Sequence, residues 1–428
     1  MNGSPVRVGL LGCGNVGGAL AELIATEGAA VAERTGVRLE ITRVAVRDVT
    51  KPRTPHLPDG VLTADTESVV TDPGVDVVVE MIGGVEPART LLLDALKAGK
   101  PVVSANKELL AAAGAEMFEA ASAAGVDLLF EAAVAGGIPL IRPLRESLAG
   151  ERINRVMGIV NGTTNFILTR MAEDGTSYDD ALAEAQRLGY AEPDPTADVD
   201  GLDASAKLAI IASIAFGGRV VTDDVHREGI RAITTRDIAF ADQLGYVVKL
   251  LAIADQVDGR VAVRVHPAMV PKTHPLASVR ESFNAVFIEG EAVGELMLYG
   301  RGAGGMPTAS ALLGDLVDAA HNLRAGGAGR APALGQSNLR PIDELTGQYY
   351  FTVDVVDRPG VLEKVAGVTA RHDVSIQSMV QDGLGDEARL IFITHTARER
   401  DMQATLADLR DLDVVETVGT LLRVIGSE

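Results

Sequence analysis

Val6-Arg7-Val8-Gly9-Leu10-Leu11-Gly12-Cys13-Gly14-Asn15-Val16-Gly17-Gly18 reads as strand, glycine turn and helix start. A short apolar strand meets a G-x-G-x-x-G turn made by Gly12, Gly14 and Gly17, and helical character follows over residues 19–31. Glycines in that setting let the backbone turn tightly and approach a pyrophosphate, whose charge the free N–H groups and the helix dipole stabilise. Gly12, Gly14, Asn15, Val16 and Gly17 are therefore the expected cofactor-binding set. The competing reading is a turn needed only for tight packing, but the strand before it and the helix after it are the context a dinucleotide turn requires.

Beyond this turn, apolar strand candidates recur at residues 39–46, 75–82, 101–107 and 126–132, separated by helical stretches. Such alternation predicts an α/β fold with a Rossmann-type parallel sheet. The dinucleotide domain is expected to span residues 1–138 and to be completed by about 303–325. Residues 139–302 read as an α+β substrate and dimerisation domain. A glycine- and alanine-rich linker follows at 326–347, and 348–428 form a tail with the order β-α-β-β-α-β. The second strand ends at Arg47-Asp48, which offers both a cation for a 2′-phosphate and a carboxylate for a free 2′-hydroxyl. NAD and NADP both stay open, with Arg47, Lys51 and Arg53 inclining the reading towards NADP.

The 428 residues suit about two to three domains. Apolar residues make up 47% and charged residues 23%, the balance of a globular chain with ample core. A formal charge of -20 opposes binding to nucleic acid or anionic lipid. No apolar run approaches the roughly twenty residues of a membrane span, and Met1–Arg7 lacks the basic opening of an export signal. The single Cys13 has no internal disulfide partner. A cytoplasmic protein is expected.

The densest chemistry lies in Leu188-Gly189-Tyr190-Ala191-Glu192-Pro193-Asp194-Pro195, followed by Asp198, Asp200, Asp203 and Lys207. Two prolines exclude regular structure over Glu192–Pro195. The stretch from Gly201 runs into a helix that is almost wholly apolar from Leu208 to Phe216. Asp203 and Lys207 stand four apart on it, so the carboxylate can orient and tune an ammonium able to serve as a proton donor. The plainer alternative is a helix-capping carboxylate with a solvated lysine.

Read together with the glycine turn, Ser104-Ala105-Asn106-Lys107 and Asn161-Gly162-Thr163-Thr164-Asn165, that block makes the chain resemble the homoserine dehydrogenase family over roughly residues 6 to 325. One acidic position that some members carry is Ala197 here. The resemblance implies reversible, NAD- or NADP-dependent interconversion of L-homoserine and L-aspartate 4-semialdehyde. It implies Lys207 as the acid that protonates the aldehyde oxygen, Asp203 as its orienting partner and Lys107 as a second functional lysine near the nicotinamide. Glu192 would hold the substrate ammonium, with Asp198 and Lys207 also at the substrate; Ser104 and Gly302 would lie at the cofactor. It further implies a monovalent cation such as sodium on the Glu131 carboxylate and the carbonyls of Val134, Gly136 and Ile138, and a homodimer or homotetramer. The Asn161–Asn165 turn either faces the cleft or forms a helix cap built from Thr163 or Thr164.

Tyr350-Phe351-Thr352-Val353-Asp354-Val355-Val356-Asp357-Arg358-Pro359-Gly360-Val361-Leu362 resembles the opening of an ACT domain, a sensor of small amino-acid ligands. That resemblance implies feedback inhibition, with threonine as the expected effector. A purely oligomerising tail is the alternative.

Overall fold

In the computed structural model of the chain, which describes residues 4–53, 57–329, 332–383 and 387–426, strand β1 (Val6–Leu11) lies near the middle of a six-stranded sheet. Its neighbours are β2 (Leu39–Ala45), β3 (Leu62–Thr63), β4 (Val77–Glu80), β5 (Val102–Ser104) and β6 (Leu128–Leu129), in the order β3-β2-β1-β4-β5-β6. Every pairing in it is parallel. The strand order reverses direction between β1 and β4, which is where open sheets of this kind bind ligands. Val77, Val78 and Val79 are fully buried, as expected of strands covered on both faces.

Helix α1 (Asn15–Thr35) starts directly after the glycine turn and packs against the helix Gly305–Arg324, so a late segment of chain completes this layer. Their apolar faces share one core with β1 and β4 through Leu10, Leu20, Val79, Leu312 and Leu316. The expected Rossmann-type sheet is therefore present, with the helix after Lys107 (Lys107–Ala124) following β5.

The chain divides into two compact units. The first contains residues 1–156, 206–224 and 284–337; the second contains 157–205, 225–283 and 338–428. Within the second, strands Tyr246–Val257 and Arg260–Pro271 form a long antiparallel hairpin turned at Asp258-Gly259.

The tail has the expected order: strand Thr346–Val356, helix Val361–Arg371, strands Ile376–Gly383 and Glu387–Thr394, helix Glu399–Arg410, and a last strand split into Val415–Val418 and Leu422–Val424. Phe351 and Phe392 stack at 4.9 Å between ring centres inside its core. It is no detached module. Leu422–Val424 pairs in parallel with Ala268 and Met269 of the hairpin, and Tyr350 donates to Asp237 at 3.2 Å.

The stretch expected as a linker also carries order. Gly335–Gln336 pairs with Gly218–Arg219, and Ile342–Glu344 forms a single turn. Arg330 and Ala331 of that stretch, and Met1–Gly3 of the amino terminus, lie outside the described residues. Among the described residues no helix is long and apolar enough to cross a membrane.

Candidate active site

The dinucleotide turn is built for close approach. Gly12 takes φ +101°, and a Cβ on Gly17 would lie 2.7 Å from the Gly12 carbonyl oxygen. No side chain caps α1 at Gly14, so its first N–H groups face outward for an anion. These features fit a pyrophosphate. Cys13 is half-buried, and burial pushes its thiol up, which suits a packing residue rather than a nucleophile.

At the carboxyl end of β4 and β5, a cavity of about 200 Å³ is lined by Gly83, Asn106, Lys107, Gly136, Lys207 and Gly302, among others. Thus the structure brings Lys107, Lys207 and Gly302 to one cavity in the first unit. Lys107 is the first residue of its helix, whose cap is Asn106 through Leu109 N–H at 3.1 Å. Lys207 projects from the helix Leu202–Phe216, in which Leu208, Ala209 and Ala212 are fully buried. Gly302 has no room for a side chain: a Cβ there would overlap the buried Asn284 amide, and one on Gly136 would strike the Gly302 carbonyl.

Glu80, which sequence reading passed over, organises the wall of this cavity. It is fully buried at the end of β4, and burial pushes its carboxyl up. Oε1 accepts from Ile82 N–H at 2.9 Å, Gly83 N–H at 3.1 Å and Asn106 Nδ2 at 3.4 Å. Oε2 accepts from the Ser104 hydroxyl at 2.7 Å. Ser104 is itself fully buried, with its hydroxyl turned to Glu80 rather than to the cavity. The available signal was an acidic residue ending an otherwise all-valine strand.

Asp48, beyond β2, accepts from both the N–H and the hydroxyl of Thr50, which holds its carboxyl below the usual range. Arg47 beside it is exposed.

In the second unit, Asn161 caps the helix Gly162–Glu173 through Thr164 N–H at 2.9 Å. The cap is thus Asn161 rather than Thr163 or Thr164. Its Nδ2 donates to Asp198 at 2.7 Å and to Asp203 at 2.9 Å, gathering two expected site carboxylates onto one amide. Thr163 donates to the Tyr190 carbonyl at 2.6 Å and so anchors the Gly189-Tyr190 segment. Glu192 is exposed on the irregular segment, tethered through its carbonyl by Gln186. Asp200, by contrast, is engaged by Arg231 at 2.6 Å.

The Glu131 carboxylate, where the sequence reading expects a cation, is held by backbone donors. That buried group accepts from Leu140 N–H, Ile141 N–H and Arg142 N–H at 2.5, 2.7 and 2.8 Å. Two of these donors fall on Oε1 and one on Oε2, which fixes the orientation of the carboxylate.

Comparison with known proteins agrees with the geometry. Family models described as homoserine dehydrogenase, homoserine dehydrogenase NAD binding domain and ACT domain match residues 139–317, 12–131 and 349–414. The chain is 50% identical to a homoserine dehydrogenase of Corynebacterium glutamicum, covering 99% of this chain and 96% of that one. It is 48% identical to one of Mycobacterium tuberculosis, covering 99% and 98%. Among solved structures, a homoserine dehydrogenase from Thiobacillus denitrificans superposes with a TM-score of 0.93 at 41% identity over 98% of both chains. A hyperthermophilic archaeal homoserine dehydrogenase in complex with NADPH does so at 0.62 and 30% identity, over 74% of this chain and 97% of that one.

Proposed function

The chain belongs to the homoserine dehydrogenase family, an NAD(P)-dependent oxidoreductase with a carboxyl-terminal ACT domain, and we propose that it interconverts L-homoserine and L-aspartate 4-semialdehyde on the route to threonine, methionine and isoleucine. The observation that carries this reading is the cavity shared by Lys107 and Lys207 at the carboxyl end of the dinucleotide sheet.

The nicotinamide cofactor supplies or accepts the hydride. Lys207 donates the proton to the aldehyde oxygen in the reducing direction and removes it from the alcohol in reverse. Asp203, one turn earlier on the same helix, orients that ammonium. Lys107 steadies the substrate and the nicotinamide end of the cofactor. Glu192 and Asp198 take the substrate ammonium, and Asn161 holds the Asp198–Asp203 pair in place. Residues 1–138 with 303–325 bind the cofactor, residues 139–302 the substrate. Exposed Arg47, with Asp48 turned onto Thr50, supports NADP as the favoured form.

The ACT domain senses threonine at the turn Asp357-Arg358-Pro359-Gly360. Support for a route to the substrate segment comes from buried Arg423, which binds Glu228 at 2.6 Å and Glu399 at 2.6 Å. Beyond Glu228, Ile230 N–H donates to the Val199 carbonyl and Arg231 holds Asp200, both within two residues of Asp198. The enzyme works as a homodimer or homotetramer in the cytoplasm, where one half-buried cysteine suits a reducing milieu.

Steady-state oxidation of L-homoserine with NAD and with NADP tests the reading. Turnover with either is the expected result, and a folded protein inert with both overturns it.

A further inference from the structure

We propose that Glu80 is a positioning residue that holds the wall of the cofactor cavity and supplies the buried negative charge by which that cavity prefers the oxidised, cationic nicotinamide. The inference rests on the reading of this cavity as the nicotinamide end of the cofactor site.

Four donors converge on one carboxylate: the N–H groups of Ile82 and Gly83, the Asn106 amide and the Ser104 hydroxyl. That donor set complements an ionised carboxylate, which accepts only. Two of the groups it holds, Gly83 and Asn106, themselves line the cavity, and Asn106 also donates to the Gly84 carbonyl at 2.7 Å while capping the helix that begins at Lys107. Glu80 thus ties the 82–84 loop to the Ser104–Lys107 turn, one residue layer behind the cavity surface.

Charge gives the arrangement its second role. Lys107, Glu108 and Lys207 are the titratable side chains lining the cavity, so two cations face a single carboxylate there. An oxidised nicotinamide ring adds a further positive charge on entry, and the reduced ring does not. A buried anion behind the wall, poorly screened by water, lowers the cost of that third charge selectively.

The test measures dissociation constants of oxidised and reduced cofactor, by fluorescence titration without substrate, in the full-length wild type, Glu80→Gln and Lys107→Ala. Glu80→Gln keeps an acceptor for Ile82, Gly83 and Asn106 and turns an amide N–H onto the Ser104 oxygen, so it removes charge more than shape. Oxidised cofactor should weaken about tenfold in Glu80→Gln and reduced cofactor less than about threefold, the size of one lost charge-assisted interaction. Equal weakening of both forms, or wild-type constants in a folded Glu80→Gln protein, overturns the proposal. A silent Glu80→Gln beside an effect in Lys107→Ala places the fault in Glu80's role alone, and silence in both places it in the reading of the cavity. Should Glu80→Gln fail to fold, Glu80→Asp, which keeps the charge while shortening the tie, must hold the oxidised-to-reduced ratio within about threefold of wild type while both constants weaken; a ratio shifted about tenfold overturns the inference.

Discussion

The side-chain amide of Asn161 donates to Asp203 across 2.9 Å while the same nitrogen reaches Asp198 at 2.7 Å. Two carboxylates drawn to one neutral donor repel each other, and the shared amide is what makes their proximity tolerable. Asn161→Ala should therefore lower kcat/KM for homoserine by about 10- to 100-fold through loss of these charge-assisted bonds. The missing cap costs about 1 kcal/mol of stability besides. Asn161→Asp, which adds a third negative charge, should be worse than alanine. Kinetics of both variants with melting curves check this; an alanine variant as active as wild type refutes the bridging role.

Lys207→Ala should reduce turnover by about 10² to 10⁴, the usual contribution of a positioned general acid, with the dissociation constant of the reduced cofactor little changed. Stopped-flow hydride transfer and cofactor titration separate the two quantities. Turnover within about threefold of wild type would remove Lys207 from the chemistry.

Arg47→Ala should raise KM for NADP by about tenfold and leave KM for NAD nearly untouched, since an exposed guanidinium at the end of β2 contributes to a 2′-phosphate and to little else. Parallel saturation curves with the two cofactors decide it.

Feedback is better tested by point substitution than by truncation. Deleting residues after 345 would strip Leu422–Val424 from Ala268 and Met269, both fully buried, and leave Asp237 without Tyr350. Such a protein should aggregate. Arg358→Ala lies on an exposed turn and should keep basal activity while raising the threonine concentration for half-inhibition by about tenfold. Glu228→Gln, at the buried arginine, should weaken inhibition without abolishing threonine binding. Calorimetric threonine titration beside the inhibition curves distinguishes lost binding from lost coupling.

The Asp315 contribution to stability should fall as pH rises from about 4 to 7. Burial raises its folded pKa from 3.8 to about 7, so between those values the folded protein holds a proton that the unfolded chain has released. The favourable contribution is complete below 3.8 and gone above 7, with a ceiling of about 4 kcal/mol. The melting temperature of Asp315→Asn relative to wild type should therefore rise with pH across this range. Identical slopes would refute the assignment.

Much of this molecule was legible in the chain itself. The glycine turn announced the parallel sheet, because only glycine permits the approach at Gly17. The four-residue spacing of Asp203 and Lys207 placed both on one helix, and the β-α-β-β-α-β order of the tail followed from its apolar periods. All three are local signals, carried by neighbouring residues. The three N–H groups on Glu131, the Glu80 tie between two loops, the Asn161 bridge and the pairing of Arg423 with Ala268 depend instead on which distant segments the fold brings side by side. Every residue but proline owns a backbone N–H and every residue a carbonyl, so such partnerships leave no mark in composition or spacing, and only the folded chain chooses among them.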